Sequence, residues 1–427
     1  MLQLAYLALS LVTVTFQGAA SQSATINVPA PSGPFVVSRV SYDWVDRSRT
    51  DVLSKVHNTR REIMVDVWYP ADAKLNTAVA SYVPHAAQID KSSAAEAERN
   101  NWGALWTTIA SGRVHVEVYE NPPAAAGRFP LIIFSHAFNG EPWAYTHEIA
   151  ELVSHGYVVA TIHHTYEVTV AAFPDGRMIP FSAENTLGTE AQSLEEMLKW
   201  AEPRIDVWAA DIRFTLDQLT RLNATAKDEE QKSRKADPPP FAGRLDLDRI
   251  GVMGNSFGGV AAERACELDQ RIKACVNQDG GLGGPFMHFP GGHLPTQPVM
   301  FLGSPRLPPP TDEELKRMQL TREAFEKDKA ETEASIEKDF QGCSGGAYRV
   351  TIQLPSFRHN SFTDMPLLRA IGAGSDTASA FRSLQLAESY TLAFFDRFLK
   401  GVNSPLLDHP PAKDVEIRRY MQPTIAR

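Results

Sequence analysis

Cysteine is scarce in this chain: the 427 residues contain three, Cys266, Cys275 and Cys343. An odd number allows at most one internal disulfide, which excludes the small secreted domains that are built on a disulfide framework. A free cysteine is commonly a small buried apolar residue, and we expect that of all three. The fold must therefore depend on a hydrophobic core, and the chain is long enough to build one.

Positive charge is also in short supply, with 42 Lys and Arg against 51 Asp and Glu and a net charge of −9. A nucleic-acid-binding protein would show a basic patch or stripe, and this sequence has none, so we expect no nucleic-acid partner. Hydrophobic residues make up 43% and charged residues 22%. This composition excludes disordered, collagen-like and many-spanning membrane chains and is typical of a globular protein.

Long apolar runs are absent except at the start, where residues 2–16 carry no charge. About 15 residues is short for a bilayer span of ~20. Small residues follow at Gly18, Ala19 and Ala20, which favours a secretory signal peptide over residues 1–20 and a secreted or periplasmic protein. No Lys or Arg follows Met1, so a buried helix or an uncleaved anchor stays open as an alternative. No cysteine lies near residue 20, which argues against a lipid anchor.

Short β-branched runs alternate with helical stretches along the rest of the chain. The later runs are continuously apolar, as parallel strands covered on both faces are. This order predicts the α/β class, with a mostly parallel doubly wound sheet in a single domain over residues 21–427. Residues 36–120 have no long helix and are expected to start the sheet in antiparallel fashion. The predicted strands are Glu62–Trp68, Val114–Tyr119, Leu131–Phe134, Val158–Ile162, Ile250–Met253, Ala274–Val276, Pro298–Leu302 and Arg349–Leu354. The predicted helices are Thr146–Ser154, Glu190–Leu222, Gly259–Leu268 and Thr377–Leu399.

Two segments interrupt this alternation. Residues 223–248 are charged and proline-rich, which predicts an exposed connection. Residues 311–340 are dense in Glu and Lys, which predicts an inserted surface helix or helix pair whose charged face is solvated. The alternative is a lid, in which Leu315, Met318 and Phe325 cover the entrance of a site.

A nucleophile motif follows the apolar run that starts at Arg249. Gly254-Asn-Ser256-Phe-Gly258 is a G-x-S-x-G pentad between a predicted strand and a small-residue helix, which is the context that the motif requires. A sharp strand-to-helix turn strains the serine backbone, and the flanking glycines allow the close approach. The pattern predicts that Ser256 is a catalytic nucleophile at the carboxyl edge of the sheet.

A serine nucleophile needs a base, and the base needs an acid that orients it. In this type of fold the acid follows the nucleophile and precedes the histidine. Asp279 ends the strand after the nucleophile helix and is the predicted acid, with Asp269 as the competitor. His359 follows the last predicted strand and precedes the last helix, so it is the predicted base. The other histidines considered, which fit less well, are His163, His164, His288, His293 and His409.

The oxyanion formed by such a nucleophile needs two hydrogen-bond donors. One is the backbone N–H of Phe257, directly after the nucleophile. The other is expected from the loop after the strand Leu131–Phe134, where the N–H of Phe138 or that of Ala137 is the candidate.

Together these segments resemble the plasma-type platelet-activating factor acetylhydrolases and their bacterial relatives. The segments are FPLIIFSHAFNG, LVSHGYVVATIHH, GVMGNSFGG, NQDGG and FRHNSFTD. The resemblance implies an α/β-hydrolase fold and a calcium-independent serine esterase that removes short or oxidised acyl chains from phospholipids. It places the family's nucleophile, acid and base on Ser256, Asp279 and His359, and its oxyanion amides on Phe257 and Phe138.

The chain departs from the family pattern close to the expected site. Asn255 stands where the elbow commonly has His, Ala137 where the oxyanion loop commonly has Gly, and Gly280-Gly281 where bulkier residues flank the acid. Gly280-Gly281 is expected to leave room beside the acid. None of these changes removes a catalytic group, but each affects what is expected of the substrate preference.

The sequence therefore predicts a secreted serine carboxylic ester hydrolase, acting on short-acyl esters such as platelet-activating-factor-like phospholipids. It predicts no metal and no organic cofactor; the expected partner is a small ester or phospholipid, with contact to a lipid surface open. The alternatives are a general esterase, lipase or polyester hydrolase, a serine peptidase on the same fold, and a non-catalytic binding protein. The oligomeric state is left open.

Overall fold

The computed structural model describes residues 25–72, 77–182, 194–224, 239–281, 293–305, 308–317, 320–408 and 413–421. The predicted signal peptide over residues 1–20 lies outside these ranges. Within them, no helix is both long and apolar enough to cross a bilayer.

A ten-stranded sheet forms the centre of the molecule. The strands of the described chain are β1 (Ile26–Asn27), β2 (Val36–Thr50), β3 (Arg60–Ala71), β4 (Val114–His115), β5 (Val118–Glu120), β6 (Phe129–Ser135), β7 (Val158–His163), β8 (Val170–Ala172), β9 (Met178–Pro180), β10 (Leu245–Asn255), β11 (Ile272–Gln278), β12 (Val299–Gly303), β13 (Ala347–Ile352) and β14 (Val415–Tyr420). The central sheet has the order β14-β13-β12-β11-β10-β6-β7-β3-β2-β5, while β1 pairs with β4 and β8 with β9.

The middle of the sheet is parallel, as predicted. Strands β7, β6, β10, β11, β12 and β13 all run in one direction, and every residue of β6 and β7 is buried. The antiparallel start is also observed, since β3 runs against both β7 and β2. Parallel strands end at the same edge, so the residues that follow β6, β10, β11 and β13 meet there.

Helices cover both faces of this sheet. The helices of the described chain are α1 (Ala86–Asp90), α2 (Ala95–Trp102), α3 (Leu105–Ala110), α4 (Thr146–Ser154), α5 (Leu194–Ala224), α6 (Phe257–Leu268), α7 (Asp312–Arg317), α8 (Arg322–Gly342), α9 (Met365–Ala373) and α10 (Thr377–Phe395), the last continuing into a π turn at Asp396–Lys400. One core layer holds side chains of α4 and α10, and the other holds those of α5 and α6. The result is the predicted doubly wound arrangement.

Two expectations about elements need correction. The predicted strand Val114–Tyr119 is divided into β4 and β5, because β4 pairs with β1 and β5 with β2. The predicted exposed connection 223–248 is exposed only in part, since Phe241 and Leu245 are fully buried in the core; residues 225–238 lie outside the described ranges. Strand β2 and the short helices α1 to α3 were not predicted.

The inserted segment consists of α7 and α8 in the described chain. Leu315 and Phe325 are buried against each other, with Leu320 beside them. The apolar side chains that the alternative of a lid would place at the entrance of the site are therefore buried within the insertion itself, while Met318 lies outside the described residues. The far end of α8 is held at the sheet edge, where the ring of Phe340 stacks on that of Tyr420 at 5.0 Å between centroids.

The three cysteines are free and buried, as expected.

Candidate active site

Ser256 occupies the turn between β10 and α6 with a backbone conformation that side chains rarely adopt. Its φ is 56° and its ψ is −121°, and such strain is characteristic of functional sites. The flanking glycines are required by close backbone contact. A Cβ atom on Gly254 would collide with the carbonyl of Gly258, and one on Gly258 would collide with the carbonyl of Ser135. The predicted strand–turn–helix context is thus observed.

Asp279 and His359 are joined by a hydrogen bond at the same edge of the sheet. Asp279 follows β11 and His359 follows β13, and Nδ1 of His359 lies 2.9 Å from Oδ2 of Asp279. Ser304, which follows β12, holds the carboxylate from the other side. Its backbone N–H donates to Oδ1 at 2.9 Å and its hydroxyl to Oδ2 at 2.8 Å. Sequence reasoning missed Ser304, although its place directly after a parallel strand was a usable signal.

The electrostatics of this pair favour an ionised acid and a basic imidazole. Burial opposes the charged form of His359, but the hydrogen bond and charge of Asp279 outweigh it and raise the pKa of His359 above 6.5. Burial likewise opposes ionisation of Asp279, but the hydrogen bonds from His359 and Ser304 lower its pKa below 3.8. The His359 side chain remains 35% exposed, so its imidazole is accessible from solvent.

The competing acid, Asp269, lies elsewhere. It follows α6 and precedes β11, so it sits at the end of that strand opposite to Asp279. Its carboxylate accepts hydrogen bonds from Arg271, with Oδ2 at 2.6 Å from Nη2. This is a local ion pair at the opposite edge of the sheet.

The remaining histidines have other partners or lie outside the described ranges. His163 Nε2 is 3.0 Å from Oδ2 of Asp66, and His164 Nδ1 is 2.9 Å from Oδ2 of Asp211. His293 is a surface residue near Glu267. In the described chain no three His, Cys, Asp or Glu side chains are grouped to hold a metal. His288 and His409 fall outside the described residues.

The structure separates the two candidates for the second oxyanion donor. The N–H of Ala137 donates to the hydroxyl of Tyr145 at 3.2 Å. The N–H of Phe138 has no acceptor among the described residues. Phe257 is the first residue of α6, where a helix leaves its N–H without an intrahelical partner. The amides of Phe138 and Phe257 are thus the ones available beside Ser256.

Aromatic rings cluster at the side chains of the two residues that carry these amides. The ring of Phe138 contacts those of Phe257 at 5.4 Å, Trp200 at 5.1 Å and Phe181 at 5.5 Å between centroids. Phe138, Phe181 and Trp200 are half-buried, so they present an apolar surface beside Phe257, the residue that follows Ser256. We call these three residues the aromatic wall.

The space expected beside the acid is not available at Gly280. A Cβ atom there would collide with the carbonyl oxygen of Ser256 and with the side chain of Asn277. Gly280 is needed because the backbone of Ser256 passes directly over it. The earlier interpretation of this glycine as a source of substrate room is therefore wrong.

A mostly parallel sheet with a strained serine elbow and an Asp–His pair at its carboxyl edge defines the α/β-hydrolase class. The sequence profile of the family described as platelet-activating factor acetylhydrolase, isoform II, matches residues 20–369. The chain belongs to this family.

Individual relatives agree with that assignment. A probable 1-alkyl-2-acetylglycerophosphocholine esterase from Arthroderma benhamiae is 26% identical, over 93% of this chain and 95% of the relative. The platelet-activating factor acetylhydrolase of Cavia porcellus is 27% identical, over 45% of this chain and 44% of that enzyme. The chain thus spans less than half the length of this mammalian relative.

A solved structure shares the fold over nearly its whole length. The ferulic acid esterase from Streptomyces cinnamoneus has a TM-score of 0.65 and 26% identity, covering 92% of this chain and 99% of that chain. The family and these relatives make the protein a carboxylic ester hydrolase.

Proposed function

We propose that the protein hydrolyses esters through a catalytic triad of Ser256, His359 and Asp279. The observation that carries this proposal is the 2.9 Å hydrogen bond between His359 and Asp279 at the sheet edge where the strained Ser256 turn lies. The three residues follow β10, β13 and β11, so three separate strands bring them to one edge.

The chemistry follows from the roles that these groups can take. His359 accepts the proton of the Ser256 hydroxyl as its oxygen attacks the ester carbonyl carbon, and Asp279 stabilises the imidazolium that forms. The amides of Phe257 and Phe138 donate to the carbonyl oxygen as it becomes an oxyanion. The C–O bond to the leaving alcohol then breaks, and the imidazolium returns its proton to that alcohol. Water, deprotonated by His359, hydrolyses the acyl-serine and restores the free enzyme.

Short-acyl phospholipid esters are the proposed substrates. Support comes from the family and from the fungal relative, whose name gives an acetylated glycerophosphocholine as its substrate. An acetyl group is small and needs little of the apolar surface beside Ser256. The substrate is therefore a small ester or phospholipid presented free or at a lipid surface.

Aromatic esters are a second candidate substrate class. Phe138 and Trp200 of the aromatic wall lie within ring contact of Phe257, and flat apolar side chains favour a planar aromatic acyl group. The structural relative is a ferulic acid esterase, which supports the hypothesis that aromatic esters are substrates.

Hydrolysis of a matched substrate series tests both parts of the proposal. The substrates are an acetyl glycerophosphocholine, nitrophenyl esters of increasing acyl length, and methyl ferulate, each with wild type and Ser256→Ala. Ser389→Ala, which removes the hydroxyl of a partly exposed helix serine, is the matched control. We expect Ser256→Ala to lower kcat by about 10⁴–10⁶ on every substrate and the control to keep wild-type rates.

The outcomes separate mechanism from specificity. Retention of more than roughly a tenth of the wild-type rate by Ser256→Ala would remove this residue from the mechanism. A preference for methyl ferulate over the acetyl phospholipid would replace the first substrate class by the second. Loss of activity on all substrates except long-chain esters would contradict both.

Secretion is part of the same proposal and rests on the N-terminal sequence pattern. We expect the mature protein to lack the apolar segment 2–16. Mass measurement of the intact protein recovered from a secreting host checks this, and recovery of the full-length chain in the membrane fraction would contradict it.

A further inference from the structure

The hydroxyl of Tyr145 bridges two loops of the candidate site. It accepts the N–H of Ala137 at 3.2 Å and donates to Oδ1 of Asn255 at 2.9 Å. Ala137 precedes Phe138, whose amide is one of the proposed oxyanion donors, and Asn255 precedes Ser256. One oxygen atom therefore connects the residues that adjoin both sides of the oxyanion hole.

Asn255 extends this bridge to the backbone of the nucleophile. Its Nδ2 donates to the carbonyl oxygen of Gln278 at 2.9 Å, and the N–H of Ser256 donates to the same oxygen at 2.8 Å. Gln278 is the residue before Asp279. The side chain of Asn255 is thus held by the strand that also carries the proposed acid.

Tyr145 is itself fixed in place. It is 1% exposed, its ring lies 4.7 Å from that of Phe134 between centroids, and it ends a 3₁₀ turn at Pro142–Tyr145. Burial raises the pKa of Tyr145 well above 10, so the hydroxyl stays neutral and can both accept and donate. A phenylalanine would fill the same volume but could do neither.

We propose that Tyr145 is a positioning residue for the oxyanion hole, which sets the Phe138 amide at a fixed distance from Ser256 through Ala137 and Asn255. This inference rests on the proposed function, because it takes the Phe138 and Phe257 amides as the oxyanion donors. Without the hydroxyl, the buried Asn255 oxygen loses its donor and the Ala137 amide its acceptor, and both loops are free to shift.

The expected signature of this role is a loss in kcat without a loss in substrate binding. The oxyanion exists only in the transition state, so a misplaced donor weakens transition-state stabilisation and leaves ground-state binding nearly intact. A displacement of about 1 Å costs up to about 10²-fold in rate. We expect Tyr145→Phe to lower kcat by about 10- to 10²-fold with KM changed less than about threefold.

Tyr69→Phe is the matched control. Tyr69 is also buried, and its hydroxyl donates to the carbonyl of Pro122 at 2.7 Å, but it lies at the end of β3 that is remote from Ser256. Tyr145→Phe removes two hydrogen bonds of a buried hydroxyl and Tyr69→Phe removes one. Both variants should therefore lose unfolding free energy, and Tyr145→Phe should lose more. A trifluoromethyl ketone forms a tetrahedral adduct with the serine. Tyr145→Phe should bind this ketone more weakly than wild type, by the factor that the variant loses in kcat, and Tyr69→Phe should not.

The results distinguish this inference from the proposed function. If Ser256→Ala is inactive but Tyr145→Phe keeps kcat within about threefold of wild type, the positioning role is wrong and the triad stands. If Ser256→Ala is active, the proposed function itself fails. A Tyr145→Phe effect confined to KM, or equal to that of Tyr69→Phe, also overturns the inference.

Asn255→Ala provides a second, independent test. It removes the other end of the bridge without touching the tyrosine ring, so it serves even if Tyr145→Phe does not fold. Residues that act through one bridge are not additive, so the double variant should lose little more kcat than the worse single variant. Losses that multiply would show that the two side chains act separately and would contradict the proposal.

Discussion

The proton on His359 determines the pH range in which the site can act as a base. The hydrogen bond and charge of Asp279 outweigh the effect of burial and raise the pKa of His359 above 6.5. Only the neutral imidazole can accept the Ser256 proton, so activity is present above this pKa and is lost as the pH falls through it. We expect the acid limb of kcat/KM to have its midpoint above 6.5, measured with a substrate that does not ionise. A midpoint below that value, or no acid limb at all, contradicts the assignment.

The choice between the two aspartates is a second prediction at the residue scale. Asp279→Asn should lower kcat by on the order of 10⁴, because the amide no longer holds the imidazole in the productive tautomer. Asp269→Asn is the matched control, since Asp269 is paired with Arg271 at the opposite edge of the sheet. Steady-state kinetics of both variants check this, and the assignment is wrong if Asp269→Asn is the inactive one.

Among the elements, the insertion α7–α8 has a defined structural role. Phe325 is 1% exposed and packs on Leu315, so Phe325→Ala leaves a cavity in a small cluster. We expect a loss of about 2–4 kcal/mol in unfolding free energy of the segment, with the ratio of rates on acetyl and longer acyl esters unchanged. Proteolysis of the insertion and an acyl-chain series measure the two effects. A shifted chain-length preference would restore the lid hypothesis.

The elements that sequence analysis predicted well are those with a strong local signal. The continuous apolar runs of β6, β7 and β10 and the glycines around Ser256 report burial and close contact directly in the sequence. Strand β2 was missed although its half-buried Tyr42 and Trp44 alternate with the exposed Ser41 and Asp43, which is the pattern of a half-buried strand. Helices α1 to α3 were missed because each spans only 5 to 8 residues.

The candidate site shows the same limit. Ser256, Asp279 and His359 could be proposed because chain order and strand ends restrict where a triad member can lie. The position of Ser304 directly after a parallel strand was a usable signal, but its contact with Asp279 depends on which residues the fold brings together. The contacts of Tyr145 depend on the fold in the same way, and no local pattern encodes them. The role of Gly280 was misread for the same reason, since the Ser256 carbonyl that fills its space comes from another turn.

At the scale of the whole molecule, buried acids make stability depend on pH. Glu148 of α4 is buried, and burial followed by the charge of Glu388 raises its pKa to about 8. A carboxyl group whose pKa is raised in the folded state stabilises the protein at pH values below the pKa that the group has in the unfolded chain, about 4.5. This contribution is lost as the pH rises to about 8. The unfolding free energy of wild type should therefore fall across this pH range. Glu148→Gln should not show the part of this fall that comes from the Glu148 carboxyl group.

Denaturant unfolding at about pH 6 and about pH 9 measures this effect. The stability advantage of wild type over Glu148→Gln should shrink by about 1–4 kcal/mol between the two conditions. Glu117→Gln, which changes an exposed glutamate, is the control and should show no such change. An unchanged difference for Glu148→Gln would mean that Glu148 does not hold its proton in the folded state.

The identity of the nucleophile is the central claim, and covalent labelling tests it most directly. A fluorophosphonate probe reacts with an activated serine and stays attached, so peptide mass mapping identifies the residue that attacked it. We predict a single adduct on the peptide that contains Ser256, formed as activity disappears and absent from Ser256→Ala. A stoichiometric adduct on another residue, or full inactivation with Ser256 unmodified, would contradict the account.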